Sequence, residues 1–286
     1  MLFRSLEKYQ IDGIIHLAAE SHVDNSITNP GEFIRTNVNG TFALLEATRK
    51  YWNGDTNCRF YYVSTDEVFG DLPIYEPYTI NGVRRFGSDI FNEDSQYNPS
   101  SPYSASKAAG DHLVRAYHRT YGMNTVISNC TNNYGPFQHP EKLLPKLITN
   151  YINMKTFPLY GKGENVRDWL YVEDHARAID LIFHKAVTGS TYFISGDCEM
   201  MNKEIIRQAV ELLYQWAPEG YKRKYEDFVR TVEDRKGHDL RYALDSSKLN
   251  RELGWSLKLS LLEGLVSTIA FYCGTKGKEW SNYFLK

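Results

Sequence analysis

Along the first two-thirds of the chain, short apolar runs alternate with longer stretches whose apolar residues recur at helical spacing. That pattern predicts βαβ units around a parallel sheet. Gly13-Ile14-Ile15-His16-Leu17-Ala18 reads as one buried strand, Phe60-Tyr61-Tyr62-Val63-Ser64 as a second, and residues 124–130 (NTVISNC) as a third. Residues 33–51 read as a helix, because Phe33, Val38, Phe42, Leu45 and Ala47 fall roughly on one side. Another helix is punctuated at both ends: Ser101 can cap it, Pro102 fits its first position and Gly122 follows its last turn. Residues 71–98 form an irregular insertion, expected to be a loop or lid over a site. Beyond about Pro145 the alternation loosens, and 177–187, 203–216 and 257–272 are predicted helices. With no internal repeat and no low-complexity linker, a smaller α/β lobe is expected to interleave with a doubly wound parallel sheet.

The 286 residues, 42% hydrophobic and 24% charged, suit one large α/β domain with a smaller lobe and argue against a disordered or fibrous chain. A net charge of −2 carries no electrostatic footprint for nucleic acid. The apolar stretch at 265–273 is too short to cross a bilayer, and residues 1–10 lack the apolar core of a signal peptide. Cys58, Cys130, Cys198 and Cys273 have no CxxC spacing and the histidines no HExxH pattern. Free thiols and no metal site are therefore expected. The triplets Asn39-Gly40-Thr41 and Asn129-Cys130-Thr131 fit a glycosylation pattern, yet nothing directs this chain to the secretory path. A soluble, cytoplasmic protein with no nucleic-acid or membrane partner is expected.

Candidate chemistry collects where the predicted strands end. The first runs into Ala18-Ala19-Glu20-Ser21-His22, the second into Thr65-Asp66-Glu67, the third into Thr131-Asn132-Asn133-Tyr134. Ligands of open parallel sheets bind outside those carboxyl ends, so the clusters define a crevice. Tyr103 and Lys107 stand one helical turn apart, where the ammonium can lower the phenol's pKa toward that of a usable base. The same spacing recurs at Tyr151/Lys155 and Tyr272/Lys276, but only Tyr103 opens a capped helix beside the strand ends. Ser64-x-x-Glu67 fits a capping box as well as an acid–base pair, although Gly70 interrupts any helix that it would start. The GxGxxG turn that opens a dinucleotide-binding sheet is absent from the sequence.

These segments carry a resemblance. AAESHVD (18–24), STDEV (64–68), SPYSASK (101–107), NNYGP (132–136), PEKL (140–143), NVRDW (165–169) and Gly237-His238-Asp239 occur in this order. Together they resemble the dTDP-glucose 4,6-dehydratases of the extended short-chain dehydrogenase/reductase family, from about Gln10 to Tyr272. The Thr-Asp-Glu triplet is the specific part, since related epimerases and decarboxylases share the Tyr/Lys pair without it.

The resemblance implies a Rossmann-like fold, with residues 1–144 a partial NAD-binding domain and 145–286 mainly a substrate-binding lobe. It implies a redox-neutral dehydration giving a 4-keto-6-deoxy sugar. Tyr103, assisted by Lys107, would take the 4-hydroxyl proton as bound NAD oxidises C4. Glu67 would remove the C5 proton, Asp66 would protonate the leaving 6-hydroxyl, and Thr65 would hydrogen-bond the oxygen at C4. Leu17, Ala18, Ala19, Glu20, Ser21, Thr36, Tyr103, Lys107 and Asn133 would contact NAD. Ser21, Thr65, Asn132, Lys142, Leu143, Pro158, Leu159, Tyr160, Asn202, Asp234, Arg235, Lys236, Gly237 and His238 would hold the nucleotide sugar, with Arg167 clamping its diphosphate. Read without the family, Asn165-Val166-Arg167-Asp168 also fits a surface turn with a local ion pair. A homodimer through the helices at 33–51 and 103–121 is implied, where Tyr117, Phe42 and Leu45 fit either that contact or ordinary core packing.

The sequence departs from the family at Lys236, where proline is usual, at Phe69, where tyrosine is usual, and over 274–286, which do not align clearly. Family members also open with on the order of sixty residues that hold the glycine-rich turn and the ribose acid. Lacking these, the sheet is expected to be N-terminally incomplete, to bind NAD poorly, and to expose an apolar strand edge that destabilises it. A UDP-glucose 4,6-dehydratase, another NAD-dependent nucleotide-sugar enzyme, or a remnant that only binds remains an open reading.

Overall fold

The computed structural model describes residues 2–80, 82–235 and 237–276. In chain order its strands are β1 (Gly13–His16), β2 (Arg59–Thr65), β3 (Tyr78–Ile80), β4 (Val83–Arg85), β5 (Thr125–Cys130), β6 (Asn132–Tyr134), β7 (Phe157–Tyr160), β8 (Val166–Tyr171), β9 (Thr191–Ile194), β10 (Glu199–Met201) and β11 (Val229–Val232). The central sheet runs β1-β2-β5-β9 with every pairing parallel. Successive β2 side chains serve opposite faces, as strand geometry requires. Phe60 and Tyr62 pack with Leu45, Val114 and Ile127 beneath the helices Gly40–Trp52 and Pro102–Tyr121. Tyr61 and Val63 pack with Ala178, Ile182 and Leu249 beneath Val172–Lys185 and Ser247–Leu253. A sheet covered on both faces needs apolar residues at consecutive positions, which is why β2 reads as an unbroken run.

The three predicted strands are present, the first ending at His16 rather than Ala18. β9 escapes the sequence reading, because four buried residues between polar turns carry no period. The helix expected at 33–51 is broken: Pro30–Phe33 leads into a π-helical stretch, Ile34–Asn39, and regular helix resumes over Gly40–Trp52. Leu45 is fully buried in the core, so it cannot form a subunit contact, whereas Phe42 is 49% exposed. The closing helix is Leu261–Lys276 rather than 257–272.

The second core lies between the helices Leu143–Ile152, Asn202–Trp216 and Leu261–Lys276, with Leu147, Ile148, Ile206, Leu213 and Ile269 at its centre. Beside it β8 pairs with β10 and β6, and β7 runs parallel to β11. The insertion at 71–98 carries the β3–β4 hairpin and is strapped down rather than poised as a lid. Buried Arg241 grips Glu199 through two bonds of 2.7 and 3.0 Å and donates to the carbonyls of Gly87 and Asp89. Glu199 also accepts from the Phe86 N–H and the Arg85 guanidinium.

Candidate active site

β2 ends at Thr65, and the next four residues, Asp66–Phe69, form a single 3-10 turn. The Thr65 hydroxyl accepts from the Glu67 N–H at 3.4 Å and donates to Asp66 Oδ1 at 3.1 Å. Thr65 is thus the cap of a very short turn, which reconciles the capping and the chemical readings of this segment. Gly70 ends the turn at φ +83°, and a Cβ there would lie 2.3 Å from the Asn98 carbonyl. Glycine alone suits both the backbone angle and that approach. From β5, the Asn129 amide holds the Thr65 carbonyl at 2.9 Å.

The helix Pro102–Tyr121 starts with a reciprocal cap between Ser101 and Ser104 and ends at Gly122 in the left-handed conformation. Tyr103 and Lys107 are both buried on its sheet-facing side. The Lys107 ammonium donates to the Val63 carbonyl at 2.8 Å and stands 4.0 Å from the Tyr62 ring centroid. Burial pushes Lys107 down to about 8. The Tyr103 phenol lies well above its ordinary value, because burial and the Glu67 carboxylate both oppose a phenolate. That corrects the expected lowering by Lys107: in the folded chain these two effects decide the direction.

The other side of the crevice is set by Asn37 in the π-helical stretch. Its amide exchanges two hydrogen bonds of 2.9 Å with the Glu20 backbone and donates to Ser106 on the Tyr103 helix. Residues 17–21 are thereby fixed at the carboxyl end of β1, with Leu17 56% exposed and Ala18 open to solvent. Thr36 is half-buried next to Asn37. Asn133 turns its amide to Thr131 and Cys130 and meets His175 Nδ1 at 2.7 Å. The exposed apolar side chains of Leu17 and Ala18 fit the flat, partly apolar nicotinamide end of a dinucleotide.

A cleft of about 200 Å³ opens between these strand ends and the second lobe. Ser21, Asn132, Lys142, Leu143, Pro158, Leu159, Tyr160, Arg167, Asn202, Arg235, Gly237 and His238, all among the residues the resemblance singles out for substrate, line it together with Glu67. Thr65, Asp66, Tyr103 and Lys107 are not in that lining, and neither are Leu17, Ala18, Ala19, Glu20, Thr36 or Asn133. No residue of 71–98 lines it either; the insertion meets the Thr65–Phe69 turn instead, through Tyr97, whose ring stacks on Phe69 at 5.1 Å. Asp234 is not in the lining but holds two residues that are, meeting His238 Nδ1 at 2.7 Å and accepting from the Arg235 N–H at 2.8 Å. Lys236 lies outside the described residues.

Arg167 is buried on β8 over the Tyr242 ring, and its guanidinium donates to the carbonyls of Val166, Asp239 and Leu240. Asp168 turns the other way, accepting from Ser195, Gly196 and Cys198. The alternative of a surface turn with a local ion pair therefore fails, and the charge of Arg167 is directed at the cleft. Lys142 donates to the Ser21 carbonyl at 2.7 Å, and burial lowers its pKa.

The two acids differ in surroundings. Asp66 is fully buried with Glu67 beside it, and both effects drive its carboxyl well above the ordinary range. Burial also raises Glu67, but Arg167, Lys142 and Arg235 pull it back. Paired acids held apart in this way can act as proton donor and proton acceptor at one pH. Buried atoms without a protein partner gather at the same place: Asp66 Oδ2, Asn132 Oδ1, Asn202 Oδ1, Trp169 Nε1 and His22 Nδ1. Such groups are costly unless something satisfies them, and a polar ligand would. His22, Trp169 and Tyr242 line the cleft although the sequence reading assigned them no role; Tyr242 in particular stands outside every motif.

The profile of the GDP-mannose 4,6 dehydratase family matches residues 1–268. The dTDP-glucose 4,6-dehydratase of Haemophilus influenzae is 47% identical over 273 residues, covering 93% of this chain and 77% of that protein. That of Neisseria meningitidis serogroup B is 48% identical, covering 98% and 78%. The crystal structure of the dTDP-glucose 4,6-dehydratase of Streptomyces venezuelae, solved with NAD bound, aligns with a TM-score of 0.83 at 41% identity, over 96% of this chain and 77% of that one. With such matches along nearly its whole length, this chain belongs to the GDP-mannose 4,6 dehydratase family, among the dTDP-glucose 4,6-dehydratases.

Proposed function

We propose that this chain is an NAD-dependent dTDP-glucose 4,6-dehydratase, with 1–144 forming the cofactor-binding part and 145–286 mainly the part that holds substrate. One observation carries the reading: two adjacent acids on one capped turn, Glu67 lining the cleft and pulled down by Arg167, Lys142 and Arg235, and Asp66 fully buried behind it and raised further. Leu17, Ala18, Ala19, Glu20, Ser21, Thr36, Tyr103, Lys107 and Asn133 would hold NAD, which when bound supplies the transient oxidation of the sugar at C4 and its reversal at C6. Tyr103 would accept the 4-hydroxyl proton as its phenolate, a form that burial and Glu67 oppose and that positive charge brought near it, from the Lys107 ammonium and bound NAD, has to stabilise; Thr65 hydrogen-bonds the oxygen at C4. Glu67, the less strongly raised acid, takes the proton from C5. Asp66, kept protonated by burial, delivers its proton to the departing 6-hydroxyl.

Arg167 supplies a fixed, planar cation to the diphosphate, and its carbonyl partners hold its orientation without neutralising it. Asn132, Lys142, Leu143, Pro158, Leu159, Tyr160, Asn202, Arg235, Gly237 and His238 form the walls that hold the nucleotide sugar, with Asp234 orienting His238. A cytoplasmic location and a homodimer complete the proposal. Among the described residues no helix is long and apolar enough to cross a membrane.

The test is to incubate the protein with NAD and dTDP-glucose in deuterated water. The expected product has lost one water and gained deuterium at C5, since Glu67 exchanges its proton with solvent. Turnover of UDP-glucose but not dTDP-glucose would overturn the assigned base. Turnover of neither would overturn the activity.

A further inference from the structure

Asp111 lies one turn beyond Lys107 on the Tyr103 helix and is completely buried. Nothing in the reaction described above uses it. Its Oδ2 accepts from the Tyr97 hydroxyl at 3.0 Å and from the Asn129 amide at 3.4 Å; burial raises its carboxyl, while Lys107 and the Tyr97 hydroxyl act against that rise. The same Asn129 amide donates to the Thr65 carbonyl, and the Tyr97 ring stacks on Phe69 at 5.1 Å. Both partners of Asp111 thus also touch the turn that carries Asp66 and Glu67. We propose that Asp111 is a positioning residue: it carries the counter-charge for the Lys107 ammonium and ties the Thr65–Phe69 turn to the Tyr103 helix through Asn129 and Tyr97.

The proposal rests on the dehydratase reading for its consequence in turnover, and on geometry for the rest. Lys107 is surrounded by the Tyr62 ring, the Val63 carbonyl and the Cys130 thiol, and it bears electrostatically on His16. Facing Asp111 are Lys107 and Arg115 from its own helix, Tyr62 and Ser64 from β2, and Tyr97 from the insertion. Burial lowers Lys107, and Asp111 is the main charge opposing that. Lys107 does the same for Asp111. The Arg115 guanidinium is occupied one step further out, on the Tyr97 hydroxyl at 3.2 Å. Asp111 is thus the acid that keeps Lys107 charged beside Tyr103.

The experiment is a pH titration of the full protein labelled with carbon-13 at lysine Cε and aspartate Cγ, comparing wild type with Asp111→Asn. In wild type the Asp111 carboxyl should read as ionised at neutral pH and deflect as Lys107 titrates near 8. In Asp111→Asn the proton affinity of Lys107 should fall about tenfold or more, and the basic limb of dTDP-glucose turnover should move down with it. A purely structural Asp111 would leave the Lys107 midpoint in place. An unmoved midpoint, or a wild-type Asp111 carboxyl that is protonated at neutral pH, overturns the proposal. The wild-type arm decides alone if the variant does not fold. Absence of turnover in wild type would sink the dehydratase reading, while the titration would still decide for or against Asp111.

Discussion

Asp66 and Glu67 are neighbours in sequence whose surroundings separate them, and the proposed mechanism gives them opposite tasks. Replacing either by its amide keeps shape and removes the proton exchange. We expect Asp66→Asn and Glu67→Gln each to lower kcat for dTDP-glucose by at least about a hundredfold. Deuterium wash-in at C5 should vanish in Glu67→Gln, and its persistence there would assign the base elsewhere. His16 offers a residue-scale prediction about stability. Burial and the Lys107 charge push its imidazole down to about 4, and its Nε2 meets the Thr41 hydroxyl at 3.0 Å. Its unfolded value is 6.5, so between 6.5 and 4 the unfolded chain binds more protons and stability falls as the pH falls. Going from about pH 7 to pH 5, wild type should lose roughly 2 kcal/mol more than His16→Gln, measured by urea unfolding at each pH. Equal losses would place His16 in contact with solvent. These roles were only partly legible in the sequence. The identity of the acids and of Tyr103 stood out through their motifs, whereas the direction of each pKa depends on which charges the fold brings near.

Among the elements, the Tyr103 helix is the one whose seating matters most. Its caps are written in the local sequence, Ser101 and Gly122 around Pro102, and the structure keeps them all. Its distance from the sheet is decided by Gly110, where a Cβ would stand 2.2 Å from the Tyr62 hydroxyl. Tyr62 is buried and cannot swing away. Gly110→Ala should therefore cost about 1–3 kcal/mol in denaturant unfolding and, by lifting Tyr103 and Lys107, lower kcat more than it raises KM. Unchanged stability would mean that the helix has room to shift. The glycine has negative φ and sits mid-helix, so helix propensity alone marks it as a flaw. Only the packed pair of elements gives it a reason. The same holds for the π-helical stretch, whose extra backbone width presents Asn37 to both Glu20 and Ser106.

On the scale of the whole molecule, one buried ion cluster joins the insertion to the second lobe. Arg241 and Glu199 have no exposed side-chain surface, and the Arg241 guanidinium makes four hydrogen bonds, two of them to Glu199. Removing Arg241 leaves the buried Glu199 charge with only Arg85 and the Phe86 N–H to compensate it. Arg241→Met should cost about 3–5 kcal/mol in equilibrium unfolding, and limited proteolysis should then cut within residues 71–98. Resistance of that segment in the variant would show that the Phe86 side chain and the hairpin hold it without the charges. Nothing in the order of residues pairs Arg241 with Glu199, since forty-odd positions separate them and neither belongs to a recognisable motif.

What the sequence determined by itself is local or repeated. The alternation of short and long apolar periods, the caps of the Tyr103 helix, the Tyr103/Lys107 spacing and the Thr65-Asp66-Glu67 triplet all depend on neighbours a few residues away; the structure keeps the caps and the three predicted strands, while it breaks the helix at 34–39 and adds β9. What only the tertiary structure decided depends on groups far apart in the chain. It placed β9 beside β5, took the insertion away from the cleft, turned Arg167 and Asp168 to opposite sides and raised rather than lowered the Tyr103 phenol. Burial and Coulomb interactions act through distances in space, and those exist only once the chain has folded.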